Sequence, residues 1–198
     1  AYVASRSVKI AGSVAIILLL VGYFGMWEDT MSTIAMTVVA TLLAIVVGIP
    51  IGILMARSDR IQATFNPILD VMQTMPSFVY LVPVIMLLGI GRVPGLIAVM
   101  VYAIPPIIRL TNLGIRLVDK DVLEAADAFG SSSWQRLKNV QMPLALPTIM
   151  AGVNQTIMMA LAMVVVAAMI GVQGLGVPVL RAISNQYLVL GVMNGLAI

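Results

Sequence analysis

Few side chains in this 198-residue sequence could perform chemistry. Histidine and cysteine are absent, which removes the commonest metal ligand and proton shuttle together with any disulfide or thiolate. No nucleophile–base pair, paired carboxylate or metal-ligand cluster stands out in the sequence. The G-x-x-x-x-G-K phosphate loop is also missing. We therefore expect this chain to be no enzyme and to hold no metal and no cofactor.

The longest polar segment, residues 121–147, begins with a predicted helix. Residues 121–129 are mostly helix formers, and Asp121 and Glu124 lie near the start, where the helix dipole favours negative charge. Leu123, Ala126 and Phe129 have helical spacing and are expected on one side of it. Gly130 then occupies the position where a helix commonly ends in a left-handed residue.

A second short helix is predicted directly after that glycine. Ser132 and Gln135 have the S-x-x-Q spacing of a capping box. The helix should begin at Trp134 and run to about Val140, with Pro143 limiting its length. The two parts together form a helix–glycine–helix elbow, residues 121–143.

The rest of the chain is typical of a polytopic membrane protein. Hydrophobic residues make up 61% of the sequence and charged residues 10%, whereas about a quarter of the residues are charged in soluble domains. We expect five complete spans and the start of a sixth, at residues 10–27, 31–56, 75–91, 93–108, 148–172 and 187–198. Residues 62–74 are predicted to form an interfacial amphipathic helix. A signal peptide is the alternative for residues 10–27, and the chain is expected to be part of a longer protein.

Two features of the predicted spans bear on packing and transport. A G-x-x-x-G pattern at Gly48 and Gly52 predicts close packing against a neighbouring helix. Residues 75–108 contain five prolines, which indicate bent or broken helices; such helices usually face protein or a cavity. A solute path and simple packing kinks both remain open.

Polar residues near these bends and near the start of residues 148–172 are the candidates for a substrate path. They are Pro76, Ser77, Tyr80, Asn154 and Gln155. Side-chain amides inside a span can either line a polar path or form hydrogen bonds between helices.

The elbow resembles the EAA loop of ABC importer permeases. Its pattern is Glu124-Ala125-Ala126, three residues, Gly130, nine residues, and Val140-Gln141-Met142-Pro143. The family has isoleucine and leucine where this chain has Val140 and Met142. The resemblance implies a coupling helix that docks into a groove of a cytoplasmic ATPase. An ordinary amphipathic loop helix is the alternative. The implied coupling residues are Glu124, Ala125, Ala126, Gly130, Val140, Met142 and Pro143.

Three further segments, residues 73–83, 103–111 and 147–156, resemble permeases of glycine betaine/proline betaine (osmoprotectant) importers. That resemblance implies one all-α transmembrane domain over residues 1–198, with the MetI-like fold of type I ABC importers. It also implies a second permease copy, an ATPase dimer that binds ATP and Mg²⁺, and an external or fused substrate-binding protein carrying the aromatic cage. The expected location is a bacterial or archaeal cytoplasmic membrane.

The basic residues agree with an elbow inside the cell. With that orientation, only Arg92 and Arg181 of the 11 Lys and Arg lie outside, as the positive-inside rule requires. The inside group is Arg6, Lys9, Arg57, Arg60, Arg109, Arg116, Lys120, Arg136 and Lys138. This bias explains the net charge of +3 without a nucleic-acid partner.

Other transporters remain alternatives at this stage. A permease for an amino acid or another small solute would share the elbow. An ion-coupled secondary transporter would work without an ATPase. Proton coupling is disfavoured because the predicted spans carry no carboxylate, lysine or histidine, but sodium coupling at broken helices stays open.

Overall fold

The computed structural model describes residues 8–198, and almost all of them are helical. The α-helices are α1 (Val8–Tyr23), α2 (Trp27–Arg57), α3 (Asp59–Thr74), α4 (Leu81–Leu88), α5 (Arg92–Arg116), α6 (Lys120–Ala128), α7 (Ser133–Gln135), α8 (Met142–Ala167), α9 (Gly176–Asn185) and α10 (Leu188–Ala197). Short 3₁₀ turns, Ser77–Tyr80 and Ala168–Ile170, precede α4 and follow α8, and a π-helical segment, Arg136–Gln141, joins α7 to α8.

Helix α5 lies at the centre and packs parallel to α2. Small residues allow this close approach: a Cβ added to Gly48 would lie 2.4 Å from the Ile107 side chain, and one on Gly52 would lie 2.6 Å from that of Thr111. The two contacts are four residues apart on α2, from Gly48 to Gly52, and four residues apart on α5, from Ile107 to Thr111. Because both numbers rise together, the two helices run in the same direction. The predicted close packing at the G-x-x-x-G pattern is confirmed.

Helix α8 packs on another side of α5 and runs antiparallel to it. Gly114, near the end of α5, faces Ala145 at the start of α8, with a built Cβ 3.2 Å from the Ala145 carbonyl oxygen. At the opposite end, Gly95 faces Val172, just beyond α8. The centre of the protein is therefore a three-helix contact of α2, α5 and α8.

Helices α3 and α4 meet at a sharp bend instead of forming a straight span. The axes of Asp59–Thr74 and Ser77–Leu88 differ by 113°. The Tyr80 hydroxyl donates a hydrogen bond to the Met72 carbonyl across this bend, and its ring packs edge to face on Tyr102, with 5.5 Å between centroids. The single span predicted for residues 75–91 is thus a 3₁₀ turn followed by an eight-residue helix.

A break of the helix at Pro105 and Pro106, one of the two outcomes that the prolines indicated, is absent, and the helix runs beyond the span predicted for residues 93–108. Helix α5 continues through Pro105 and Pro106 to Arg116. Both prolines are fully buried, and neighbouring helices in such a bundle compensate the backbone groups that a proline frees. The helix is consequently long enough to extend from one end of the bundle to the other.

The boundary between the first two predicted spans, residues 10–27 and 31–56, also differs from its prediction. Helix α1 ends at Tyr23, and Gly25 takes a left-handed φ of 69°. Helix α2 starts at Trp27, so Glu28 and Asp29 lie in its first turn, where carboxylates are favourable. Arg6 lies outside the described residues.

Three helical segments among the described residues are long and apolar enough to cross a membrane: Trp27–Arg57, Arg92–Arg116 and Ser133–Ile170. The bent pair of α3 and α4 would make a fourth if it forms one span. Helices α1 and α10 are shorter apolar helices. The count of five spans and the start of a sixth therefore stays a prediction.

At the end of α5 near the elbow, one arginine ties three helices together. Arg116 donates to the Met55 carbonyl (2.9 Å), to Asp59 (2.7 Å) and to the amide oxygen of Asn112 (3.0 Å). These bonds fix α5 to the turn between α2 and α3.

Candidate functional site

The elbow begins with a capped helix. The side chain of Asp119 accepts a hydrogen bond from the Asp121 amide at 2.9 Å and caps α6. Asp121 occupies the first turn, whereas Glu124 lies in mid-helix with an exposed side chain. The cap at Asp119 was missed in the sequence, although an aspartate just before a helical segment is a typical N-cap.

The turn after α6 is a Schellman motif built on Gly130. That glycine has φ 77°. Its amide donates to the Asp127 carbonyl at 2.9 Å, and the Ser131 amide donates to the Ala126 carbonyl at 3.1 Å. These are the two bonds that define the motif, so the predicted left-handed residue is confirmed.

The second arm starts with the predicted capping box. The Ser132 amide donates to the Gln135 side chain (2.9 Å), and the Gln135 amide donates to the Ser132 hydroxyl (3.3 Å). Arg136 of this arm forms an ion pair with Asp127 of α6 at 2.7 Å. The elbow therefore has bonds within its turn and one charged contact between its arms.

The sequence predicted that Pro143 limits the length of the second arm, but the arm continues beyond this residue. It continues through the π-helical segment into α8, so that Ser133–Ile170 is one continuous helix. Pro143 is the second residue of α8, directly after the π-helical segment, so it lies inside this continuous helix and does not end it. Val140 and Met142 are half-buried, and Pro143 is exposed.

The elbow has one face in the protein and one face free. Leu137 is buried in a cluster with Ile107 and Ile115 of α5. Phe129 is 91% exposed and Trp134 62% exposed. The free face thus carries two large aromatic side chains, although aromatic side chains are normally buried.

The E-A-A residues are divided between these two faces. Ala126 is buried, while Glu124 and Ala125 are exposed. Of the three residues expected on one side, Leu123 is half-buried and Ala126 is buried, but Phe129, the C-cap residue of the helix, is exposed.

The candidate path residues lie in two places. Pro76 is exposed at the bend between α3 and α4, Ser77 is half-buried, and Tyr80 is buried. Asn154 and Gln155 are exposed on α8. Tyr80 belongs to a core cluster with α8 residues between Ala160 and Ala167, which lie farther along α8 than those amides. The substrate path stays a prediction.

The described residues contain no group of three or more Asp, Glu, His or Cys side chains that could hold a metal ion.

Comparison with known proteins identifies the family. The sequence profile described as binding-protein-dependent transport system inner membrane component matches residues 48–196. The chain belongs to this family. The permease is 52% identical over 181 residues to the glycine betaine/proline betaine transport system permease protein ProW of Escherichia coli, covering 91% of this chain and 51% of ProW. It is 49% identical to the glycine betaine/carnitine transport permease protein GbuB of Listeria monocytogenes, covering 91% and 64%.

The glycine betaine transport system permease protein OpuAB of Bacillus subtilis is also 49% identical, with 91% of this chain and 64% of OpuAB covered. The permease thus spans between half and two thirds of these curated relatives. Solved structures with the same fold include the MetNI methionine ABC transporter (TM-score 0.72, 20% identity, 87% of this chain and 90% of that chain). An amino acid ABC transporter solved with histidines has TM-score 0.70 and 20% identity, and 91% of each chain is covered. The predicted MetI-like fold is confirmed.

Proposed function

We propose that this permease is the membrane subunit of an ATP-driven importer of glycine betaine or a related quaternary ammonium osmolyte. The support for the substrate is its identity of about half with relatives whose names specify glycine betaine transport. The chain belongs to a single transmembrane domain within a bacterial or archaeal cytoplasmic membrane. The basic residues near the elbow support a cytoplasmic location for that end.

The observation that carries the proposal is the free face of the elbow. Its turn is fixed by the Schellman motif and capping box, and its second arm is anchored on α5 through Leu137. Phe129 and Trp134 project from this support, and buried aromatics are typical anchors of protein interfaces. The elbow accordingly docks into a partner ATPase, which binds ATP and Mg²⁺ and drives a rigid-body movement of the spans.

The coupling residues keep the roles suggested by the EAA pattern, with two refinements. Glu124 and Ala125 lie on the docking face, whereas Ala126 packs within the permease. Gly130 allows the turn, and Val140, Met142 and Pro143 join the elbow to α8. The remaining partners are a second permease copy and an external substrate-binding protein or fused binding domain.

We place the solute path near Pro76, Ser77 and Tyr80 and on the α8 face that carries Asn154 and Gln155. Replacing both amides by leucine is expected to reduce uptake, because the path would lose its polar groups. Normal uptake by the double variant would mean that these residues only pack against another chain.

ATP hydrolysis by the complete complex in lipid vesicles tests the function. We would compare glycine betaine, proline betaine, choline, proline and methionine as stimulants. Stimulation by betaines supports the proposal, and stimulation by an amino acid alone would retain the ATPase coupling but replace the substrate. If the permease transports without any ATPase, ion-coupled transport replaces both.

Docking of the elbow on the ATPase can be tested in the absence of substrate. Phe129→Ala is expected to weaken association with the ATPase roughly tenfold or more, as loss of an aromatic interface anchor does. Phe24→Ala, at an exposed phenylalanine outside the elbow, is the matched control. Equal association of both variants would contradict docking through Phe129.

A further inference from the structure

A cavity of about 300 Å³ lies between α2 and α5 at the end of the bundle away from the elbow. Its sides are apolar, formed by Ala35, Met36 and Val39 of α2 and Leu96 of α5. One end of the cavity, which we call its polar head, is formed mainly by Arg92 and Gln173. The cavity has polar groups at one end only, and it lies on the surface of two helices that are long enough to cross a membrane. It therefore fits an amphiphilic molecule, which has one polar and one apolar end.

Arg92 occupies an unusual position for a basic side chain. It is the first residue of α5, where the helix dipole is positive and disfavours a cation. Its side chain donates to the neutral amide of Gln173. Arg109, Arg116 and Arg136 each form an ion pair with a carboxylate. Among the described residues no such pair forms at Arg92, as is also true of Arg57, Arg60 and Arg181. The charge of Arg92 therefore remains available to an anionic ligand.

The polar head of the cavity is preformed. Gln173 lies between Val172 and Gly174, both buried, and the next residue, Leu175, is 1% exposed. The Leu175 amide donates to the buried hydroxyl of Thr33 on α2 at 2.9 Å. This loop is therefore held in place on α2, and Gln173 needs no rearrangement to meet a ligand.

Carboxylates lie beside this head. A second cavity of about 300 Å³ shares Ser32 and Gln173 with the first and is lined by Glu28, Asp29 and Arg181. An anionic group at Arg92 would thus have two carboxylates and one further basic side chain as neighbours. A ligand head that carries a cation next to its anion fits both sides, because each charge then meets an opposite one.

We propose that this cavity binds one phospholipid with a zwitterionic headgroup. The phosphate contacts the Arg92 guanidinium, since Arg donors form charge-assisted hydrogen bonds with phosphate oxygens. The ammonium group faces Glu28 and Asp29. An acyl chain lies along the apolar sides of the cavity, where it replaces contacts with bulk lipid. This site is independent of the transported solute.

The test is lipid binding to the purified permease–ATPase complex after delipidation, measured by native mass spectrometry. The ligands are phosphatidylethanolamine, phosphatidylglycerol, diacylglycerol and free glycerophosphoethanolamine. Phosphatidylethanolamine is expected to bind most tightly, and Arg92→Gln should weaken it about tenfold through loss of the charge-assisted bonds. Arg60→Gln, an equal loss of charge at the other end of the bundle, should leave binding unchanged.

Two further variants separate the parts of the site. Ala35→Phe, which fills the apolar part, should reduce lipid binding while Arg92 remains. Glu28→Gln combined with Asp29→Asn should remove the preference for ethanolamine over glycerol headgroups. A preference that persists in this double variant would refute the zwitterionic assignment.

Other results would overturn the proposal outright. Equal binding of phosphatidylethanolamine to wild type and Arg92→Gln would exclude the phosphate contact. Diacylglycerol binding as tightly would indicate an apolar contact alone, and tight binding of the free headgroup would indicate a simple anion site. Because the sequence lacks cysteine, Ala35→Cys can also be cross-linked selectively. Efficient cross-linking between two copies would mean that a second permease covers the cavity.

Discussion

Replacing Gly130 by valine is expected to uncouple the elbow while the protein remains folded. The glycine has φ 77°, and a left-handed conformation costs a residue with a Cβ about 1–2 kcal/mol. A Cβ built at this position meets no atom within 4 Å, so steric contact adds nothing. The whole cost falls on the backbone of the turn, and it lowers the population of the native elbow roughly 5- to 30-fold relative to open forms.

The assay is betaine-stimulated ATP hydrolysis and betaine uptake by the complex in vesicles. Gly25→Val is a matched control, because Gly25 also has a positive φ, 69°, open space around its built Cβ and the two hydrogen bonds of a Schellman turn, but lies after α1 and outside the elbow. Gly130→Asn should retain much of the activity, since asparagine tolerates the left-handed region. Both valine variants should lose similar thermal stability, and only Gly130→Val should lose stimulation.

Two results would refute this reasoning. Normal uptake by Gly130→Val would mean that the turn geometry is not needed for coupling. Equal loss of uptake in Gly130→Val and Gly25→Val would mean that general destabilisation, not the elbow, limits transport.

The remaining predictions concern the packing that supports the elbow and are measured by thermal unfolding in detergent. Gly52→Val should destabilise the permease by about 1–3 kcal/mol through overpacking against α5. Gly195→Val is the control and should have little effect, because a Cβ built on Gly195 meets nothing within 4 Å. Similar Tm values for the two variants would contradict the tight contact at Gly52. Thr33→Val should cost about 1–3 kcal/mol by leaving the buried Leu175 amide unpaired, and an unchanged Tm would argue against that bond. Arg116→Gln should lower Tm by releasing α5 from the turn between α2 and α3. An unchanged Tm would mean that water replaces the hydrogen bonds of Arg116 without loss of stability.

The features predicted correctly from the sequence depend on short-range signals. Gly130 and the S-x-x-Q pair at Ser132 and Gln135 specify the turn and the capping box within a few residues. The pattern of Gly48 and Gly52 likewise specifies a contact surface on one helix. In each case the side chains that decide the conformation are close in sequence, so no knowledge of the remaining fold is required.

The errors arise where tertiary packing decides the structure. Pro105 and Pro106 indicated a break, yet α5 continues because it is enclosed between α2 and α8. Pro143 indicated an end, yet the π-helical segment precedes it and the helix proceeds into α8. A proline signals a missing backbone bond, but whether the helix ends there depends on what the neighbouring helices supply. The ligand cavity at Arg92 also depends on distant residues and has no sequence motif.

Because the second arm of the elbow is continuous with α8, a movement of the elbow can be transmitted along a single helix. Ser133–Ile170 contains 38 residues, about 57 Å of helix at the standard rise of 1.5 Å per residue. A hydrocarbon layer of roughly 30 Å accounts for only part of this length. At its far end, the Ile170 carbonyl accepts a hydrogen bond from the Gly91 amide, just before α5. A displacement of the elbow therefore has a direct helical connection to the opposite end of the bundle, where Arg92 and the loop around Gln173 lie.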